Sequence, residues 1–221
     1  MKKSLLALSV LLMAAPSLST AGDADLKAGD WLVRGRVVHV KPNDSTSAVS
    51  GIAGTEGGAD SDTIPELDIT YMLTPNVGAE LILGTSSHDV VGTRGAVTGV
   101  GVANVHLLPP TLLLQYHFNG LGAVRPYVGA GLNYTFFYDV EEHSNLRAIG
   151  GTPSVSFDDG FGLAVQAGAD WHINPKWFLN LDVKYIKLDT SMTISNSPVS
   201  GTTSDVTLNP LLIGGGIGYR F

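Results

Sequence analysis

Two sets of residues in this chain have the right types to do chemistry. The first is Glu141-Glu142-His143, with Asp158-Asp159 further along the same link. Carboxylates beside an imidazole are the donor set of a hydrolytic or cation site, although the same residues in a link also make an ordinary solvated surface. The second set is a series of charges spaced through otherwise apolar segments: Arg34, Arg36, Glu66, Asp68, Glu80, Arg125, Asp170, Asp182, Lys184 and Arg220. A charge withdrawn from water must be paired. Gathered on one face, these residues form either a polar path for ions or a network of mutually neutralising pairs, and the network is the expectation. Enzyme signatures are missing. The six histidines are scattered, and neither H-E-x-x-H nor G-x-S-x-G occurs. Gly214-Gly215-Gly216 is followed by neither the helix nor the lysine of a phosphate loop. With no cysteine, thiol chemistry, cysteine-bound metal and disulfides are excluded. No catalytic residue, cofactor or metal site is expected.

The elements that position these charges start after a leader. Lys2 and Lys3, the apolar run Leu5 to Ala15 and the small residues Ser19-Thr20-Ala21 make a secretory signal peptide over 1–21, leaving 22–221 as one domain. Removing Lys2 and Lys3 from the 13 basic residues leaves 11 against 20 acidic ones, a formal charge of −9. That excludes nucleic acid, whose binding needs a basic face, and argues against docking on an anionic lipid surface. Glycine is abundant (27 residues), yet 44% of the chain is hydrophobic. The mixture suits neither disorder nor helices.

Read at period two, the chain resolves into eight segments, at about 30–41, 64–73, 77–86, 104–118, 126–138, 161–172, 177–187 and 211–221. The clearest puts Trp177, Leu179, Leu181, Val183 and Tyr185 on one face and Asn180, Asp182 and Lys184 on the other. Short turns rich in Asn, Gly or Pro (74–76, 119–124, 174–176) alternate with long links (42–62, 87–103, 139–158, 189–204). An up-and-down outer-membrane barrel has this layout, with short periplasmic turns, long external loops and, for an even strand number, both termini periplasmic.

A soluble β-sandwich alternates too, with its apolar face inward. Three features favour the membrane. The polar face is small and glycine-rich (Gly129, Gly131, Gly162, Gly168, Gly214, Gly216, Gly218), as a narrow eight-stranded interior requires. Aromatics gather at strand ends. Trp31, Tyr71, Tyr116, Phe118, Trp171, Trp177, Tyr219 and Phe221 would make an inner girdle, and Tyr134, Phe136, Tyr138, Phe161 and Tyr185 an outer one. The chain also ends on an alternating strand with a terminal aromatic, Phe221. Because hydrocarbon cannot satisfy an open strand edge, the sheet must close.

Leu108-Pro109-Pro110-Thr111-Leu112 with Gln115-Tyr116-His117-Phe118, then Arg125-Pro126-Tyr127-Val128-Gly129-Ala130-Gly131-Leu132-Asn133-Tyr134, resemble the fourth and fifth strands of the outer membrane protein W (OmpW) family. The stretch from Leu208-Asn209-Pro210 to Gly218-Tyr219-Arg220-Phe221 is similar to its last strand. The resemblance implies a narrow hydrophobic channel that passes small apolar molecules across the outer membrane. The terminal Phe221 resembles the signal read by the barrel assembly machinery.

An eight-stranded barrel is too narrow for an aqueous pore. The charged set is therefore expected to plug the periplasmic half. The outer lumen is expected to be lined by Met72, Ile82 and Leu113, with Val90, Val91, Val97, Val100 and Val102 from the links. Pro109-Pro110, two residues without ladder donors, should break strand pairing and either leave a lateral gap for release into the bilayer or form a simple bulge. The partners implied are outer-membrane lipid and a small hydrophobic solute. The alternative is a structural or surface-binding barrel whose external loops engage ligands, phage or bacteriocins without transport.

Overall fold

Strict alternation of apolar and polar residues drives the long strands, because only a closed sheet satisfies every backbone group in hydrocarbon. The computed structural model describes residues 25–43, 45–46, 57–92, 101–142, 154–195 and 202–221. Fourteen strands are found among them: β1 Trp31–Lys41, β2 Ser45–Thr46, β3 Gly57–Ala59, β4 Asp62–Met72, β5 Val77–Gly84, β6 Ser86–Gly92, β7 Gly101–Leu108, β8 Thr111–His117, β9 Val124–Glu142, β10 Ser154–Phe157, β11 Gly160–His172, β12 Trp177–Ser195, β13 Thr202–Thr207 and β14 Leu211–Arg220. The expected leader, 1–21, lies outside the described residues.

Eight strands form a closed antiparallel ring in the order β1-β4-β5-β8-β9-β11-β12-β14. β14 returns to β1 from Leu32↔Arg220 to Lys41↔Leu211. This is the eight-stranded up-and-down barrel expected from the sequence. The tight turns are built by their own residues. Asn174 Oδ1 accepts the backbone N–H groups of Lys176 (2.9 Å) and Trp177 (2.8 Å). Gly120 and Gly122 take φ of 78° and 77°, the left-handed region that glycine enters without a Cβ penalty.

The outward face carries the apolar residues, among them Leu114, Leu132, Leu163, Leu181 and Ile213. One end of the ring is belted by edge-to-face aromatics. Trp177 stacks on Tyr219 (4.8 Å between centroids), Tyr219 on Phe221 (4.7 Å), and Trp31 meets Tyr71 at 4.8 Å. At the other end Tyr134 contacts both Phe136 (4.5 Å) and Phe161 (4.6 Å).

The wall extends past the ends expected from the sequence. β9 and β12 each run 19 residues, and β6, β7, β10 and β13 occupy parts of the links expected to be loops. Towards this end of the wall the polarity inverts. On β12, Ile186 and Leu188 point inward while Lys187 is exposed; on β1, Val38 and Val40 point inward while His39 and Lys41 are exposed. On β12 the predicted segment stops close to that inversion, eight residues short of the strand's end at Ser195. Asp139, at φ 52°, sits where the β7–β9 register shifts, the position of a bulge.

Candidate functional site

The lumen is the one place where the fold concentrates polar chemistry, and its inward positions are layered. On β1 the inward residues run Leu32, Arg34, Arg36, Val38, Val40. On β12 they run Phe178, Asn180, Asp182, Lys184, Ile186, Leu188. Apolar, charged and apolar levels therefore follow each other along the barrel axis.

The lowest layer packs Leu26, Leu32, Met72 and Phe178. Above it nine charged side chains interlock. Arg34 grips Asp170 through both Nε (3.2 Å) and Nη2 (3.0 Å) and reaches Glu80 Oε1 at 3.2 Å. Arg36 contacts Asp68 Oδ2 at 2.6 Å, Asp182 Oδ1 at 2.9 Å and Glu80 Oε1 at 3.2 Å. Lys184 Nζ lies 2.5 Å from Glu66 Oε1, and Arg125 Nη2 lies 3.2 Å from Asp170. Arg36–Asp68 and Arg125–Asp170 join adjacent strands, whereas Arg34–Asp170, Arg36–Asp182 and Lys184–Glu66 are chords across the barrel, and all are essentially dry. Neutral groups complete them. Tyr127 donates its hydroxyl to Asp182 (2.8 Å), Asn180 Nδ2 donates to Asp170 (2.8 Å), and Gln115 Nε2 donates to Glu80 (2.6 Å) and Gln166 (2.9 Å).

β14 contributes room instead of contacts. A Cβ on Gly218 would collide with the Phe178 ring, and one on Gly168 of β11 with the Tyr127 ring. At Gly131 and Gly216 the added atom would meet the backbone carbonyls of Leu112 and Gly35. Those two glycines serve close strand approach, a reason distinct from the narrow lumen that the sequence suggests.

Above the plug, Val38, Val40, Ile64, Ile82, Leu113, Ala164, Ile186, Leu188 and Leu212 form a buried apolar cluster. A second cluster of Ala103, Val105 and Val155, flanked by Val90, Phe137, Val140 and Phe157, continues it. Leu208 packs against both. The outer lumen is thus an apolar column standing on a charged floor.

The pairing around this column is interrupted in several places among the described residues; β4, for one, pairs with β5 only as far as Glu66↔Gly84 and does not pair with β6. The β5–β8 ladder ends at Ile82↔Thr111 and pairing resumes on β6–β7 at Ser86↔Leu107, which leaves residues 83–85 and 108–110 without bridges to each other. On its other side the proline pair is tied to β9. Tyr134 N–H donates to the Pro110 carbonyl (3.0 Å), and Asn133 Nδ2 donates to the Pro109 carbonyl (3.2 Å). Another interruption is a seam between β9 and β10. The β9–β11 ladder ends at Thr135↔Gly160. Beyond it β9 pairs with β7, and β10 with β12. The seam is bridged by the stacked rings of Phe137 and Phe157 (5.3 Å) and by Phe137 N–H donating to Asp159 Oδ1 (3.1 Å).

Measured against the sequence reading, Arg34, Arg36, Glu66, Asp68, Glu80, Arg125, Asp170, Asp182 and Lys184 are brought together. Arg220 lies at the mouth, 3.4 Å from Asp30, and its Nη1 donates to the Asp25 carbonyl. Met72 is a correction: it belongs to the layer beneath the plug, because it ends β4 beside the short turn. Ile82 and Leu113 sit in the column. At Pro109-Pro110 the expected break in pairing is present towards β5 and β6 and stays local, since both ladders of β7 re-form beyond the prolines. Val90 packs beside the second cluster, whereas Val91 is exposed. Val97, Val100 and His143 lie outside the described residues. Asp159 is engaged with β9, and among the described residues no group of three His, Asp or Glu side chains could hold a metal. Sequence reasoning missed Thr70, Tyr127, Gln115, Gln166 and Asn180 as working parts of the plug. Their signal was an inward position on the same levels as the charges.

Comparison with known proteins agrees with this architecture. Residues 27–221 match the model of the OmpW family. Outer membrane protein W of Vibrio cholerae is 34% identical over 224 residues, covering 100% of both chains. The dibenzothiophene metabolism operon protein PahQ of Pseudomonas aeruginosa is 28% identical, over 77% of this chain and 77% of its own. The crystal structure of the outer membrane protein OprG from Pseudomonas aeruginosa superposes with a TM-score of 0.81 at 35% identity, covering 90% of this chain and 98% of that one. With its closed barrel and apolar outer wall, this chain belongs to the OmpW family of outer-membrane proteins.

Proposed function

We propose that the barrel admits small apolar molecules into its outer lumen and releases them sideways into the bilayer. The single observation that carries this reading is the apolar column seated on the charged floor. A greasy solute gains by leaving water for the column. To continue through the floor it would have to separate buried ion pairs, and removing the partner of one such group costs about 3–5 kcal/mol. Release through the wall avoids that cost. At the proline pair, at the β9–β10 seam and between β4 and β6 no ladder has to be broken. A relative whose name refers to dibenzothiophene metabolism fits such cargo, because dibenzothiophene is itself a small apolar molecule. In this reading the extended rim faces the cell exterior and both termini face the periplasm, as outer-membrane barrels with short periplasmic turns are built.

The test is uptake of a fluorescent apolar solute into proteoliposomes. Wild type should exceed protein-free vesicles, and Leu113→Arg, which puts a charge into the column, should abolish the excess. No uptake above protein-free vesicles would refute transport and leave the extended rim, as a surface for external ligands, as the working part.

A further inference from the structure

The net charge of the chain, −7 and −9 without the expected leader, argues against anionic lipid, but the charges are not spread evenly over it. Five carboxylates lie inside the barrel, within the plug. On the lipid-facing wall near the outer girdle, Lys41 and Lys187 are exposed, and among the described residues neither takes part in an ion pair. Lys41 and Tyr185 both face Leu211 across the two ladders of β14, so they share one level and one face. Lys187 is one outward-facing step further along β12, opposite Leu163. Two strand spacings of about 4.8 Å separate the two staves, within reach of two flexible four-carbon stems. The nearest outward carboxylate on β12, Asp189, lies one step further from the bilayer.

Their height is set by counting residues. Lys41 follows Trp31, and Lys187 follows Trp177, by the same ten positions. At roughly 3.3 Å per residue and a tilt of about 40°, that is a rise of about 25 Å, the height of a barrel's apolar band. With the two tryptophans at the inner interface, both lysines arrive at the headgroups of the outer leaflet. The same point on each strand is where the polarity inverts.

We propose that Lys41 and Lys187, flanking Tyr185, dock the phosphates of an outer-leaflet glycolipid of the lipid A type. A lysine at this level extends its ammonium to the headgroup layer while its stem lies on apolar wall, and a diphosphorylated glycolipid supplies the anions. The placement at the outer leaflet rests on the orientation given under Proposed function, but binding itself does not, so it is measured in detergent.

The test uses the mature chain in detergent micelles, titrated with diphosphoryl lipid A, with its dephosphorylated form and with inorganic phosphate as competitor. Wild type should prefer the diphosphoryl form. Lys41→Gln/Lys187→Gln should bind it about thirtyfold more weakly, taking the usual contribution of a lysine beside anionic lipid. Lys41→Arg/Lys187→Arg should retain binding, and Lys176→Gln, at the opposite girdle, should leave it unchanged. Equal affinity of wild type and the double Gln variant for diphosphoryl lipid A would overturn the proposal. So would indifference to the phosphates, or complete displacement by millimolar inorganic phosphate. Apolar uptake into vesicles lacking this lipid should not respond to these substitutions, which separates a failure here from a failure of the transport reading.

Discussion

The inner and outer halves of the lumen are made from the same strands, yet they are built to opposite rules. In the inner half the charged inward positions are answered from other strands, some by adjacent-strand partners such as Arg125 with Asp170, others by chords: Arg34 to Asp170, Arg36 to Asp182, Lys184 to Glu66. In the outer half most inward positions are apolar and interchangeable, as in Ile82, Leu113, Ile186 and Leu212, and the few polar ones, such as Asn133 and Thr111, bond each other. The first arrangement fixes one geometry, because a displaced charge has no water to turn to. The second tolerates a guest, because one apolar contact substitutes for another. Rigidity and reception are thus separated along the axis of a single barrel.

The largest effect that would break this comparison is expected at Arg36. Arg36→Met leaves carboxylates of Glu66, Asp68, Glu80 and Asp182 facing each other without their shared cation. It should destabilise the barrel by about 3–5 kcal/mol, read as a lowered urea midpoint in detergent. Next comes backbone approach. Gly131→Ala, whose Cβ would strike the Leu112 carbonyl, should cost about 1–3 kcal/mol. Gly129→Ala should cost less, because its nearest neighbours, at 3.2 and 3.3 Å, are atoms of the Gln166 and Gln115 side chains, which can give. In the outer half the sensitivity should reverse. Ile82→Trp should lower solute uptake at least severalfold while moving the unfolding midpoint less than Arg36→Met does. The smallest effect is expected at the inner girdle. Tyr219→Leu keeps an apolar outward residue but removes the edge contacts with Trp177 and Phe221, a loss of about 0.5–1.5 kcal/mol with uptake unchanged.

The membrane-spanning segments were legible in the sequence for a physical reason. Lipid outside and ion pairs inside impose opposite demands on successive residues, so Leu179 to Lys184 reads as strict alternation. The charged plug followed from the same pattern, since the ionisable residues fell on one face. Its chords did not. Nothing along the chain tells Lys184 that its partner is Glu66 on β4, because that contact depends on barrel closure and register. The strands beyond the membrane were hidden by the inversion of polarity: Ile186 inward and Lys187 outward look like the end of a membrane strand. The misplaced Met72 shows a related limit. Alternation gives the face of a residue, and only its distance from the turn gives its depth. The proline pair did announce a break in pairing, but how far the break runs was decided by β7, which pairs on both sides beyond it.

The central claim is that an apolar solute enters the lumen from the rim and stops at the charged floor. Intermolecular NOEs between a small apolar solute and methyl-labelled protein in bilayer nanodiscs test it directly, because apolar side chains lie on both sides of the plug. Cross-peaks are expected to Ile82, Leu113 and Ile186 above it, with none to Leu26, Leu32 and Met72 below. Cross-peaks of equal strength to both groups would mean that the solute passes the ion pairs, and would contradict the account.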